Sequence, residues 1–287
     1  MLTKKLSRIH ERVPTRLRSN IARVHSPLIA TLCLKRLSLK FYKYMTLNKN
    51  TLDAFINEYC WYSSPLSFND PFDCALMKGK KFKEFFLETK KILCLATEHN
   101  NLLMWSHYAD SHKGICIEYT PFSDEEIASL KEQGIFGDSP NDRLCIIQNA
   151  RKVEYKSVEA INDYLDLLPN TDQELMELHD QKQAAGQAEE YYLMISKALT
   201  IKHESWAYEN EYRIIHDGNN RNTHPGKITK IYIGAKASSQ DKRTLSMLMN
   251  GSIDLVCMDF SESKYALTER ILNPEIDFQG LGLSFEE

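Results

Sequence analysis

An α+β fold is the expectation for this 287-residue chain, and three observations carry it. Stretches with strand and helix patterns mix without strict alternation, which disfavours a regular parallel βαβ repeat. No internal repeat or low-complexity segment is present. A hydrophobic fraction of 43% with 26% charged residues is ordinary for a globular protein, and the length suffices for one large core or two small ones.

The elements follow in chain order. In residues 1–38, Leu6, Ile9, Val13, Leu17, Ile21 and Val24 fall near helical spacing with Arg and Lys between them. Pro14 interrupts, so one or two short amphipathic helices are expected. Leu39–Met45 reads as a strand. Asn50 or Thr51 caps a helix over Leu52–Glu58. Cys60–Ser64 reads as a strand ended by Pro65, and a turn follows over Phe68-Asn-Asp-Pro-Phe-Asp73. There Asp70 before Pro71 looks like a cap with proline at the first helical position. Lys80–Thr89 is helical, Ile92–Thr97 a buried strand, Leu102–Ala109 a short helix capped by Asn101, and Ile115–Tyr119 a strand after Gly114. Residues 123–150 read as loop-rich, and Val153–Tyr155 as a short strand. Residues 157–200 are helical and acidic, the core of a helical insertion spanning 157–205. Tyr208–Ile215, Ile228–Ile233 and Ile253–Phe260 read as strands. A helix capped by Ser239 and closed by Gly251 lies between the last two.

Charge is unevenly spread. Residues 1–43 carry 11 Lys/Arg against Glu11 alone, although the whole chain has a net charge of −3. A basic extension on an acidic body fits an anionic partner, or an arm folded back on its own domain. No apolar run approaches the roughly 20 residues that span a bilayer, and no secretory leader is legible at the start. The seven cysteines are scattered with no Cys-x-x-Cys pair, as for reduced thiols in a cytoplasmic protein, and a zinc cage is not expected. Neither a Gly-rich phosphate loop nor His-Glu-x-x-His occurs.

The densest chemistry lies in Tyr208-Glu-Asn-Glu-Tyr-Arg-Ile-Ile215. In an extended strand Glu209, Glu211 and Arg213 share one face. Charge pairs across a sheet contribute only about 0.2–1 kcal/mol each, a weak reason to gather three. Paired carboxylates suit acid/base work, metal binding or stabilisation of an oxocarbenium ion. Trp61, Trp105 and Trp206 each sit in a motif-rich segment, which fits one aromatic-walled pocket or one core. His107 has no adjacent nucleophile to make it part of a Ser/His or Cys/His pair.

Phe41-Tyr-Lys-Tyr, Trp61–Asp73, Leu102–Gly114 and Trp206–Ile214 together resemble a bacterial family known as a domain of unknown function, over about residues 39–260. Its members look like remote relatives of ADP-ribosyltransferases, including toxins of anti-phage toxin–antitoxin systems. That resemblance implies a split mixed β-sheet around an NAD cleft in residues 39–287. It also implies ADP-ribose transfer from NAD, as substrate, to a nucleic acid such as RNA, or to a protein acceptor. Carried over by position, the first motif falls on Lys43 or Tyr44, where the family pattern has Arg or His. The second falls on Ser63 or Ser64, and the third on Glu211, with Glu209 completing Glu-x-Glu. Glu211 would face the positive charge that develops on the ribose, and Glu209 would orient or deprotonate the acceptor. Arg213 or Lys43 would hold the pyrophosphate, while Trp105 and Tyr108 would wall the nicotinamide pocket beside His107. The basic extension would meet nucleic acid, an antitoxin or a chaperone. Two other readings stand beside this one: a metal-dependent nuclease using Asp70, Asp73, Glu209 and Glu211 with Mg²⁺, and a non-catalytic binding module.

Overall fold

The computed structural model describes residues 40–279 except 75, 77 and 135–145. The basic segment 1–38 lies outside these residues. The fold is mixed α+β, with several sheets and helices on both sides.

Its first sheet has five strands, in the order β1-β4-β10-β11-β12: β1 (Phe41–Met45), β4 (Ile115–Thr120), β10 (Lys227–Ile233), β11 (Asp254–Phe260) and β12 (Leu267–Ile271). Only β10 and β11 run parallel, linked by helix α8 (Ser239–Met249), as a parallel pair requires. A second sheet is ordered β3-β8-β5: β3 (Lys90–Leu95), β8 (Tyr212–Asp217) and β5 (Arg151–Lys152). Two short pairs complete the set: β2 (Cys60–Trp61) with β9 (Arg221–Asn222), and β6 (Glu154–Lys156) with β7 (Ile201–His203).

Alternation along the strands sorts side chains into layers. Phe41 of β1, Ile115, Ile117 and Tyr119 of β4, and Ile231 and Ile233 of β10 point to one side. There they meet Leu93, Leu95 and Ile214 of the second sheet in a shared core. Tyr42, Tyr44, Cys116 and Tyr232 point to the other side, against Trp105 and Met104 of α3 (Leu102–Tyr108). The far face of the second sheet is covered by α2 (Lys80–Thr89), α5 (Val158–Asp166), α6 (Asp172–Ala184) and α7 (Ala188–Lys197), through Phe82, Phe86, Tyr164, Leu175, Tyr191 and Ile195. The molecule is thus helix, sheet, sheet, helix in section.

Local chemistry explains most element ends. Asn48 caps α1 (Lys49–Ile56), accepting from Asn50 N and Thr51 N, so the helix starts ahead of the expected Asn50 or Thr51 cap. Asn101 caps α3 as expected. The expected loop at 123–150 contains α4 (Asp124–Glu132), started by a capping box between Ser123 and Glu126. Asp70-Pro71 does not start a helix. Asp70 Oδ1 instead accepts from Phe72 N within a turn, and the next helix begins at Lys80. Between α3 and β4, Asp110, Ser111 and His112 adopt left-handed backbone in succession (φ 47°, 53° and 72°). Bonds from His112 N to Trp105 O and from Gly114 N to Ala109 O close this turn. Among the described residues no helix is long and apolar enough to cross a membrane.

Candidate functional site

A cavity of about 330 Å³ opens where the two sheets part. β1 and β3 are joined by a single bridge at Tyr42–Ala96, and β3 is held again by Ser63 at Ile92. Between these points the strands separate. Lys43 and Tyr44 line one side of the gap, Cys94 and Leu95 the other, and His107, Tyr108 and Phe68 add an aromatic rim. Ser63, Lys202, Glu209 and Glu211 also contribute to the wall.

The strand carrying the acidic pair starts later than its sequence suggests. Glu209 ends a 3₁₀ turn (Glu204–Glu209), Asn210 is left-handed (φ 42°, ψ 53°), and β8 begins at Tyr212. Three contacts pin this corner: Asn101 Nδ2 donates to Tyr208 O (2.7 Å), Asn210 Nδ2 to Thr97 Oγ1 (2.5 Å), and Tyr155 Oη accepts from Glu211 N (2.9 Å). Glu209 therefore does not share a strand face with Glu211 and Arg213. Both carboxylates still reach the cavity, because the turn swings Glu209 back toward it.

Beneath the cavity lies a buried ionic cluster. Arg213, fully buried, donates Nε and Nη2 to the two oxygens of Glu211, both at 2.9 Å. It donates Nη1 and Nη2 to the two oxygens of Asp73, at 2.8 and 2.7 Å. Lys202 Nζ stands 2.6 Å from Glu209, 3.4 Å from Asp73 and 3.7 Å from Glu211, with the Trp206 ring centroid 4.6 Å away. Three carboxylates against two cations leave one excess negative charge when all are ionised. Lys202 is placed by pairing opposite Tyr155 in β6–β7.

The cluster separates the two acids electrostatically. Burial raises the Glu209 carboxyl pKa, the charge of Glu211 adds to this, and Lys202 and the Tyr108 hydroxyl oppose it. Glu211 is buried too, but Arg213 overrides that penalty and holds its carboxyl at about 2. Lys202 is pushed down by burial, yet Glu211, Asp73 and Glu209 together hold it above the ordinary lysine range. The site thus contains one firmly ionised carboxylate and one poised closer to neutrality.

Of the residues singled out in the sequence, Lys43, Tyr44, Ser63, His107, Tyr108, Glu209 and Glu211 meet at this cavity. Three do not reach its wall. Arg213 is enclosed by Asp73, Glu211 and the Leu199 carbonyl, so it organises carboxylates and is unavailable to a pyrophosphate. Ser64 caps the 3₁₀ turn Pro65–Ser67 and donates to Leu87 O. Trp105 is buried edge-on against Tyr44, with its indole N–H on His99 O. The three tryptophans do not share a pocket: Trp61 lines a second cavity and Trp206 a groove beside α5. The metal arrangement also fails to assemble. Asp70 lines that groove and not the cavity, and an ammonium already stands among the other three acids. Among the described residues no group of three or more His, Cys, Asp or Glu is arranged to hold a metal ion. Lys202 escaped sequence reasoning because a single lysine between Ile201 and His203 carries no spacing signal.

Neither the curated proteins nor the solved structures contain a match to the chain. Residues 104–214, which carry His107, Tyr108, Lys202, Glu209, Glu211 and Arg213, match the family model described as "Protein of unknown function (DUF2971)".

Proposed function

We propose that this protein transfers ADP-ribose from NAD to an intracellular acceptor, on the split-sheet plan of an ADP-ribosyltransferase. The observation that carries the reading is the unequal carboxylate pair, Glu211 held at about 2 and Glu209 raised, on the wall of one aromatic-rimmed cavity. Two acids with divided protonation behaviour are the usual mark of divided roles.

The bond to break joins ribose C1′ to the nicotinamide nitrogen, and its electron pair leaves with nicotinamide. Positive charge grows on the ribose, and an ionised Glu211 facing it lowers the barrier. Arg213 keeps that carboxylate ionised and fixed, so little reorganisation is needed. The acceptor's nucleophile then bonds to C1′ and gives its proton to Glu209, whose raised pKa makes it the better base. Tyr108 and Lys202 orient Glu209 for this. Lys43 is the remaining cation of the wall, and no ion pair holds it among the described residues. It is the candidate for the pyrophosphate. The motif resemblance supports placing this chemistry in anti-phage defence.

The test incubates the purified chain with labelled NAD and cellular RNA, DNA or protein in turn, with EDTA present. Label transfer should occur and fall at least about a hundredfold in Glu211→Gln. Lys43→Gln, a milder change at the cavity wall, should raise KM for NAD. Absence of NAD breakdown with every acceptor, from a chain freed of any bound antitoxin, would sink the proposal.

A further inference from the structure

A second cavity, of about 350 Å³, adjoins the first and shares Lys43 with it. Building on the transferase reading, we propose that this second cavity is the acceptor site and that it takes one nucleotide of a single-stranded nucleic acid.

Its key pair is set by sheet register. Trp61 of β2 and Arg221 of β9 stand directly opposite each other in an antiparallel pair, so their side chains project from the same face as neighbours. Trp61 is 51% exposed, a large aromatic surface left open to water at the cavity. An open indole is a platform on which a base stacks. Arg221 lies over the Tyr59 ring at 4.4 Å, which holds the guanidinium flat, and its side chain remains 61% exposed to receive a phosphate. Asn50 adds an amide that can bond a base edge. His224, pushed down to about 4 by burial, lines the cavity as a neutral ring bonded to the Tyr119 hydroxyl.

Charge separates the two cavities. The first is lined by Asp73, Glu209 and Glu211 against Lys43 and Lys202, so its wall carries one excess negative charge. The second is lined by Lys43 and Arg221 against Asp53 alone, suited to an anion. The chain path also fits a donor beside an acceptor. Trp61 lines the second cavity and Ser63 the first, two residues apart, or about 7 Å in extended backbone. A base stacked on Trp61 is then within a nucleotide's length of the proposed donor site.

The test measures binding without NAD, so its outcome does not depend on catalysis. Fluorescence anisotropy of labelled ten-nucleotide single-stranded RNA and DNA is read with the full chain. Trp61→Ala and Arg221→Gln should each weaken binding about tenfold. Arg221→Gln should also reduce the slope of log affinity against log salt by about 0.7, the value of one phosphate contact on a single strand. Asp53→Asn, which removes the competing carboxylate 3.4 Å from Arg221, should tighten binding. Wild-type affinity and salt slope in both weakening variants would overturn the site, even if the chain binds nucleic acid elsewhere. Binding that depends on Trp61, from a chain that never cleaves NAD, would leave this site standing and remove only the transferase reading.

Discussion

Arg213 decides how the site is charged. A fully buried guanidinium satisfying two carboxylates costs much desolvation, and its removal strands Asp73 and Glu211. Breaking one side of such a pair typically costs about 3–5 kcal/mol. Arg213→Met should lose that much in denaturant unfolding. The pH dependence has a definite sign. A carboxyl held at about 2 when folded, against 4.5 ordinarily, adds stability that is present above pH 4.5 and lost as pH falls toward 2. Glu209 runs the other way: its raised pKa adds stability below 4.5 that is lost as pH rises. Relative to wild type, the melting temperature of Glu211→Gln should therefore recover on acidification from pH 6 to 3. That of Glu209→Gln should improve as pH rises from 4.5 to 7. Much of this cluster was legible, because Glu209-x-Glu211-x-Arg213 is conspicuous and Asp73 closes a distinctive turn. Its geometry was not, since spacing of two implies one face only while the backbone stays extended.

At the scale of elements, the junction between the α3–β4 turn and the end of β10 is the tightest place described. A Cβ on Gly234 would lie 2.2 Å from His112 O, and one on Gly114 2.3 Å from Met45 O. Both neighbours are backbone, which cannot rotate aside. Gly234→Ala should destabilise by about 2 kcal/mol or more, read as a lower Tm. It should also disturb the backbone bonds from Gly234 N to Gly114 O and from Lys236 N to His112 O. Strands rich in Ile and Tyr, such as β4 and β10, and helices with a side-chain cap, such as α3, could be read directly. Helix α4 was missed although Ser123-Asp-Glu-Glu126 spells a capping box, because none of its residues is buried and its apolar stripe is weak. Strand β7 was missed for its length, and β12 because it is an edge strand with no fully buried residue.

Across the whole molecule, stability is expected to be graded. β4 and β10 each have strands on both sides, and Ile117 and Ile231 are buried in the core between the sheets. In α6, thirteen residues long, only Leu175 and His179 are buried. Native-state hydrogen exchange should be slowest at the central amides of β4 and β10 and far faster along α6. Exchange of α6 as slow as that of β4 would refute this grading. The α+β class followed from the mixed order of elements. The pairing order did not, because β1 with β4 and β3 with β8 join segments at least 70 and over 110 residues apart at their paired positions, and local patterns carry no such information.

The left-handed corner at Asn210 also sets a rule of mutational tolerance. Backbone at φ 42° admits glycine freely, asparagine and aspartate readily, and β-branched residues hardly at all. Saturation mutagenesis at this one codon should sort amino acids by backbone shape, with size and polarity secondary: Gly and Asp retained, Val and Ile depleted. The residue between the two glutamates, silent in any list of reactive groups, would then be among the least substitutable positions on the chain.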